Sequence, residues 1–167
     1  MLPSLFTRSR GLGKLYGQMF VPVLEQWMLT QLEADILLFL ANNPEYDTAR
    51  DIVERRRLAK SHVSVGVDTL AEQGLLERFW REGNRKTVHL RLTAGAAPLV
   101  EQGRAIQRRY GQLLLRGFTA AEQAQLFRLL DRVAENIDAA LAAPESPSQS
   151  LLRPPSKDRE PDLYHMP

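Results

Sequence analysis

Lys60, Ser61, His62, Ser64 and Val65 lie close together in the chain, and Asn84, Arg85 and Lys86 form a second polar cluster downstream. Neither set pairs a nucleophile with a base, and no glycine-rich phosphate loop or metal-ligand spacing accompanies them, so an enzyme is the weakest reading. The chemistry open to them is non-covalent. A histidine donor, two hydroxyls and a valine methyl suit the donors, acceptors and thymine methyls of base edges, while the lysine suits adjacent phosphates. An arginine at a loop tip is drawn by the negative potential of a narrow minor groove. His62, His89 and His165 are scattered and the chain has no cysteine, which excludes disulfides and thiolate sites and leaves a poor case for zinc or any other cofactor.

The elements that must position these residues can be read around them. From Lys60 to Gln73 the apolar residues Val63, Val67, Leu70 and Ala71 recur at helical spacing, and Gly74 follows where a helix would end. One side of this helix is buried and the other presented. Gly66 lies inside it at a cost of roughly 1 kcal/mol relative to alanine, and Ala59 offers no capping side chain. Ahead of it, Thr48 and Asp51 open a helix that buries Ile52 and Val53, and a turn through Arg57 and Leu58 joins the two. After it, 75–81 reads as a strand, 82–84 as a turn and 85–92 as a returning strand in which Val88, Leu90 and Leu92 alternate with His89 and Arg91. The order is that of a winged helix-turn-helix.

This order, with Lys60-Ser61-His62-Val63-Ser64, Asp68, Leu70, the run Glu72 to Arg78, Arg85 on the wing and Leu90-Arg91-Leu92-Thr93 closing it, resembles the MarR family of bacterial transcriptional regulators. The resemblance covers roughly Leu12 to Ala143 in helix order and is specific from Thr48 to Thr93. It implies a homodimer on a pseudo-palindromic double-stranded operator, with recognition helices about 34 Å apart in successive major grooves. Lys60, Ser61, His62, Ser64 and Val65 would then meet base edges and phosphates, and Arg85, flanked by Asn84 and Lys86, the minor groove. Arg55, Arg56 and Arg57 would hold phosphates rather than read sequence. The resemblance also implies repression released by a small aromatic effector bound between the dimerisation helices and the DNA lobes, which makes Tyr16, Phe20 and Trp27 the candidate effector contacts, although by residue type they are more often core or interface than ligand pocket. Three positions depart from the family pattern. Asn84 stands where an acid usually orients the wing arginine, Val65 where a basic residue is frequent, and Ala59 where a cap is usual.

Elsewhere the chain reads as support. Leu12, Leu15, Tyr16, Met19, Phe20, Val23, Leu24 and Trp27 make a broad apolar helical face, which Pro22 is expected to kink or split. Thr30 to Glu33 is a capping box for a scaffold helix ending at Asn42. Thr93 is expected to cap a helix through Arg116, and Thr119 to Glu122 to cap another reaching Ala143; both are amphipathic with no core left to cover in one protomer. The expected organisation is mainly α: an N-terminal segment and first dimerisation helix (1–29), the winged lobe (30–92), C-terminal dimerisation helices (93–143) and a flexible tail (144–167) rich in proline and serine.

Of 167 residues, 44% are hydrophobic and 25% charged, the balance of a soluble globular protein. The longest apolar run, 36–41, is far too short to span a membrane, and the start lacks a secretory pattern, so the cytoplasm is the expected compartment. The net charge of +2 hides an asymmetry: 50–91 holds ten Lys or Arg against six Asp or Glu, a net +4, and the remainder carries −2. A basic module on a slightly acidic body fits a phosphate-backbone binder. The competing expectation is a winged-helix protein-interaction module whose basic face is incidental.

Overall fold

The structure is a computed structural model that describes residues 2–143, with side chains from Thr7 onward. The elements run α1 (Leu2–Trp27), α2 (Gln31–Asn42), α3 (Ala49–Arg56), α4 (Lys60–Glu72), β1 (Leu76–Arg81), β2 (Asn84–Leu92), α5 (Ala97–Leu114) and α6 (Ala120–Ala142), with one 3-10 turn, Ala94–Ala96, before α5. The mainly helical winged architecture expected from the sequence is the one observed. The expected tail, 144–167, lies outside the described residues. The chain divides into two compact units between Leu114 and Leu115.

The first unit is built around α2. Ile36, Leu37, Leu38, Phe39 and Leu40 are all buried, and a helix apolar on every side has to sit in the middle. Helices α1, α4 and α5 and strand β2 all pack on it. Burying each such side chain contributes about 1.5–3 kcal/mol. Thr30 and Glu33 form the expected capping box at its start, and Thr48 and Asp51 form another at α3. Each cap is worth about 1 kcal/mol.

Two glycines set how closely neighbours approach α2. A Cβ at Gly66 would come within 2.8 Å of Ile36 Cδ1, and one at Gly103 within 2.8 Å of Leu38 Cδ2. Gly66 is thus not merely a weak spot in α4: its missing side chain lets α4 seat on the scaffold.

Helix α1 begins at Leu2, well before the apolar face, and it runs through Pro22 without being split. The ring removes only one backbone bond, to the Gln18 carbonyl, and the flanking Phe20 and Val23 are buried in the core, which holds the turn in place. Met28, at φ 51°, then reverses the chain so that Leu29 is buried.

Beyond the wing, Thr93 does not cap a helix with its side chain as expected. Its hydroxyl donates instead to the Gly74 carbonyl at 2.6 Å, stapling the end of β2 to the end of α4. Helix α5 ends at Leu114 rather than Arg116, and Gly117 turns the chain at φ 84°.

The second unit contains α6. Its capping box at Thr119 and Glu122 is formed as expected, and the backbone and hydroxyl of Thr119 hold the Glu122 carboxyl below its usual pKa. No residue of α6 is buried, although Leu129, Leu130, Val133, Ile137 and Leu141 are all large and apolar.

Candidate nucleic-acid interface

Helix α4 divides as its sequence requires. Val63, Val67 and Leu70 are buried, while Lys60, Ser61, His62, Ser64 and Val65 are exposed. Val65 is 64% exposed, unusual for a valine on a packed helix, and its carbonyl accepts the Thr69 hydroxyl at 3.1 Å. Ala59 makes no side-chain cap, so the first turn of α4 leaves its amides open beside Lys60 and Ser61. A helix N-terminus attracts anions.

The preceding turn is tight. Arg57 adopts the left-handed conformation at φ 51°, and its amide donates to the Val53 carbonyl. Of the three arginines here, Arg55 stacks on the Tyr46 ring at 3.3 Å and Arg56 approaches Asp35 at 3.8 Å. All three remain exposed.

The wing is irregular in a way the sequence does not announce. Its register runs Leu76 opposite Leu92, Arg78 opposite Leu90 and Phe79 opposite His89, and then jumps to Arg81 opposite Asn84. The stretch of β2 facing Trp80 is therefore longer than its partner and bows outward, carrying Arg85 and Lys86. Asn84 organises this bow, since its Oδ1 accepts from the amides of Lys86 at 3.1 Å and Thr87 at 3.3 Å. An asparagine in place of the expected acid thus shapes the backbone around Arg85. Arg85 and Lys86 have no ionic partner among the described residues and are exposed.

The expected alternation in β2 is also broken. Val88 is 38% exposed, whereas His89 is buried beside Leu90. The reason lies outside the strand. Because a carboxylate can only accept, His89 Nδ1–H donates to Asp47 Oδ1 at 2.6 Å, and Arg81 donates to Asp47 Oδ2 at 2.9 Å. The Leu90 amide donates to the Asp47 carbonyl at 2.7 Å. Asp47 therefore ties both wing strands to the start of α3, a role the sequence reading missed. Burial pushes its carboxyl upward, but the hydrogen bonds and charges of His89 and Arg81 outweigh this and hold it below the ordinary value.

A group with a depressed folded pKa stabilises the fold above its unfolded pKa and loses that contribution as pH falls through the folded value. The stability advantage of the wild type over Asp47→Asn is accordingly expected to shrink as pH drops below about 4. Urea unfolding at a series of acid pH values checks this; an undiminished gap down to the acid limit contradicts it.

Recognition helix and wing are joined by an ion pair between Arg78 and Asp68. Arg78 also borders a cavity of about 420 Å³ shared with Arg50, Val53, Lys60, Ser64 and Val88, so α3, α4 and the wing meet there. On the outer side Arg78, Trp80, Arg81, Glu82 and Arg85 border an open groove of about 790 Å³.

The remaining candidates, Tyr16, Phe20 and Trp27, lie on α1. Phe20 is fully buried with its ring 4.7 Å from that of Tyr16, which stands edge-on to Tyr110 at 5.2 Å. Trp27 Nε1 donates to Gln102 Oε1 at 3.1 Å. The Tyr16 hydroxyl receives from Gln107 at 3.2 Å and faces Asp35 at 3.5 Å. Burial raises the pKa of both Tyr16 and Asp35, against the Gln107 bond at Tyr16 and against Gln31 and Arg56 at Asp35. This polar network links α1, α2, α3 and α5.

Residues 29–83, the scaffold helix through the wing turn, match the MarR family model. Over those residues the chain is similar to the MarR family. Solved structures agree in fold over a longer span. A protein of Listeria monocytogenes, described as a MarR family transcriptional regulator and crystallised with a 26-mer DNA, is 21% identical at a TM-score of 0.70, covering 82% of this chain and 88% of that one. MepR of S. aureus, in complex with DNA, is 21% identical at a TM-score of 0.68, covering 82% and 96%. BpsR of Bordetella bronchiseptica, whose DNA binding is regulated by 6-hydroxynicotinic acid, is 19% identical at a TM-score of 0.62, covering 78% and 98%. Identities this low establish the MarR fold and nothing finer. Among the described residues no helix is long and apolar enough to cross a membrane, and no group of three or more acidic, histidine or cysteine residues is placed to hold a metal ion.

Proposed function

We propose that this protein is a homodimeric, sequence-specific binder of double-stranded DNA that represses transcription and is released by a small-molecule effector. The observation that carries this is the division of α4. Its apolar stripe is locked into the core, while Lys60, Ser61, His62, Ser64 and Val65 face outward beside a wing whose tip arginine has no ionic partner among the described residues. The DNA complexes formed by the Listeria regulator and MepR support carrying that face onto a duplex. Arg55 and Arg57 flank the contact as phosphate holders. Residues 93–143 together with the first helix form the dimer interface, as the uncovered apolar stripe of α6 supports.

Effector response is assigned to the region of Tyr16, Phe20 and Trp27. The Tyr16–Asp35–Arg56 chain there reaches from α1 to the foot of α3, so a ligand that displaced it would alter how the reading helices are seated. The protein would then move between two states of different operator affinity. BpsR and its 6-hydroxynicotinic acid offer a precedent for regulation by a small aromatic acid.

Selection of bound duplexes from a random pool is the decisive experiment. The expected product is a pseudo-palindrome with half-sites about one helical turn apart, whose binding weakens steeply with salt. Recovery of no enriched sequence at low salt would leave the protein-interaction reading in its place.

A further inference from the structure

Trp80 is more than half exposed on β1, at the point where the hairpin register breaks. Trp80 is one of several large apolar side chains exposed on this protein, and a register break beside it can re-aim a side chain. Its surroundings say what it is aimed at. The groove that Trp80 borders is walled by Arg78, Arg81 and Arg85 against the single acid Glu82. Arg78 is paired with Asp68 on α4 and Arg81 with Asp47, and Arg78 also lines the cavity with Lys60 and Ser64, so it borders both the groove and the recognition helix. An aromatic plane among arginines suits a nucleic-acid strand, in which charge meets phosphate and the ring stacks on a sugar or an opened base.

We infer that Trp80 is a DNA-contact residue, lying against the strand beside the groove that Arg85 enters. The inference rests on the DNA-binding reading and adds to it an apolar contact that the lysines and arginines do not supply. Such a contact is insensitive to salt, so it persists as phosphate contacts are screened. Since Trp80 packs in no core, its replacement is expected to leave the fold intact, which a thermal melt by circular dichroism verifies.

The test uses the full chain and a fluorescein-labelled duplex recovered from the selection. Anisotropy reports binding, and a second titration with the unlabelled duplex follows tryptophan emission. The expected result is a change in emission on binding that vanishes in Trp80→Phe, while the chain's other tryptophan, Trp27, still emits. Trp80→Ala is expected to weaken binding about tenfold, with the deficit unchanged between low and moderate salt, and Trp80→Phe to recover most of it. Wild-type binding with unmoved emission and unaltered Trp80→Ala affinity overturns this inference alone. An absence of any anisotropy change defeats the DNA reading and this inference with it.

Discussion

The double replacement Leu130→Asp with Ile137→Asp is expected to give a folded monomer that no longer holds the selected duplex. Both side chains lie on the apolar stripe of α6, roughly half exposed, and neither is buried within its own chain. Carboxylates there cost the isolated protomer little, so its helicity is preserved. In a dimer the same carboxylates would have to be desolvated against an apolar partner, several kcal/mol per pair unless they take up protons. Loss of the second half-site removes the gain from binding two linked sites at once, on the order of 100-fold or more. Sedimentation velocity and anisotropy on the same preparations check both parts. A variant that stays dimeric, or a wild type that is monomeric at binding concentrations, removes α6 from the interface.

Arg85→Ala is expected to weaken binding about tenfold on every duplex, whatever its half-site sequence, and to lower the slope of log affinity against log salt by about one. The residue sits exposed on the bowed stretch of β2, beside the two amide bonds to Asn84 and without an acidic partner among the described residues. Removing it is therefore expected to subtract the proposed contact with DNA and to leave the lobe undisturbed. His62→Ala and Ser64→Ala, in contrast, are expected to change the ranking among sites more than the mean affinity, because base-edge contacts carry the sequence information. Selection repeated with the three variants separates the two kinds of effect. An Arg85→Ala protein with an unchanged salt slope and affinity would mean that the wing stays clear of the duplex.

How far the sequence carried these assignments depends on the range of the interactions involved. The stripe of α4, the three capping boxes and the stop at Gly74 are written within a few residues of where they act, and the structure has them as read. The candidates on α4 and the wing are all at the surface for the same reason. What escaped was set by distant partners. His89 reads as an outward position by alternation, but Asp47, 42 residues earlier, draws it inward. Gly66 reads as a helix defect until Ile36 is found against it. The register jump at Trp80 depends on both strands and the Asn84 turn together, and alternation along one strand cannot reveal it. Pro22 reads as a kink or a split, yet the helix continues through it, its buried neighbours offsetting a local preference worth about 3 kcal/mol.

Gly66 and Gly103 press against Ile36 and Leu38, which project roughly 200° apart around α2. The central rod is thus gripped from opposite flanks by two neighbours that have no side chain to compress at the point of touch. A close-packed junction of this kind has no slack in which a small displacement could dissipate. On the proposed function, a push on α5 would reach α4 through the rod itself, so an event at α5 would be felt at the surface proposed to meet the operator without a chain of intervening rearrangements.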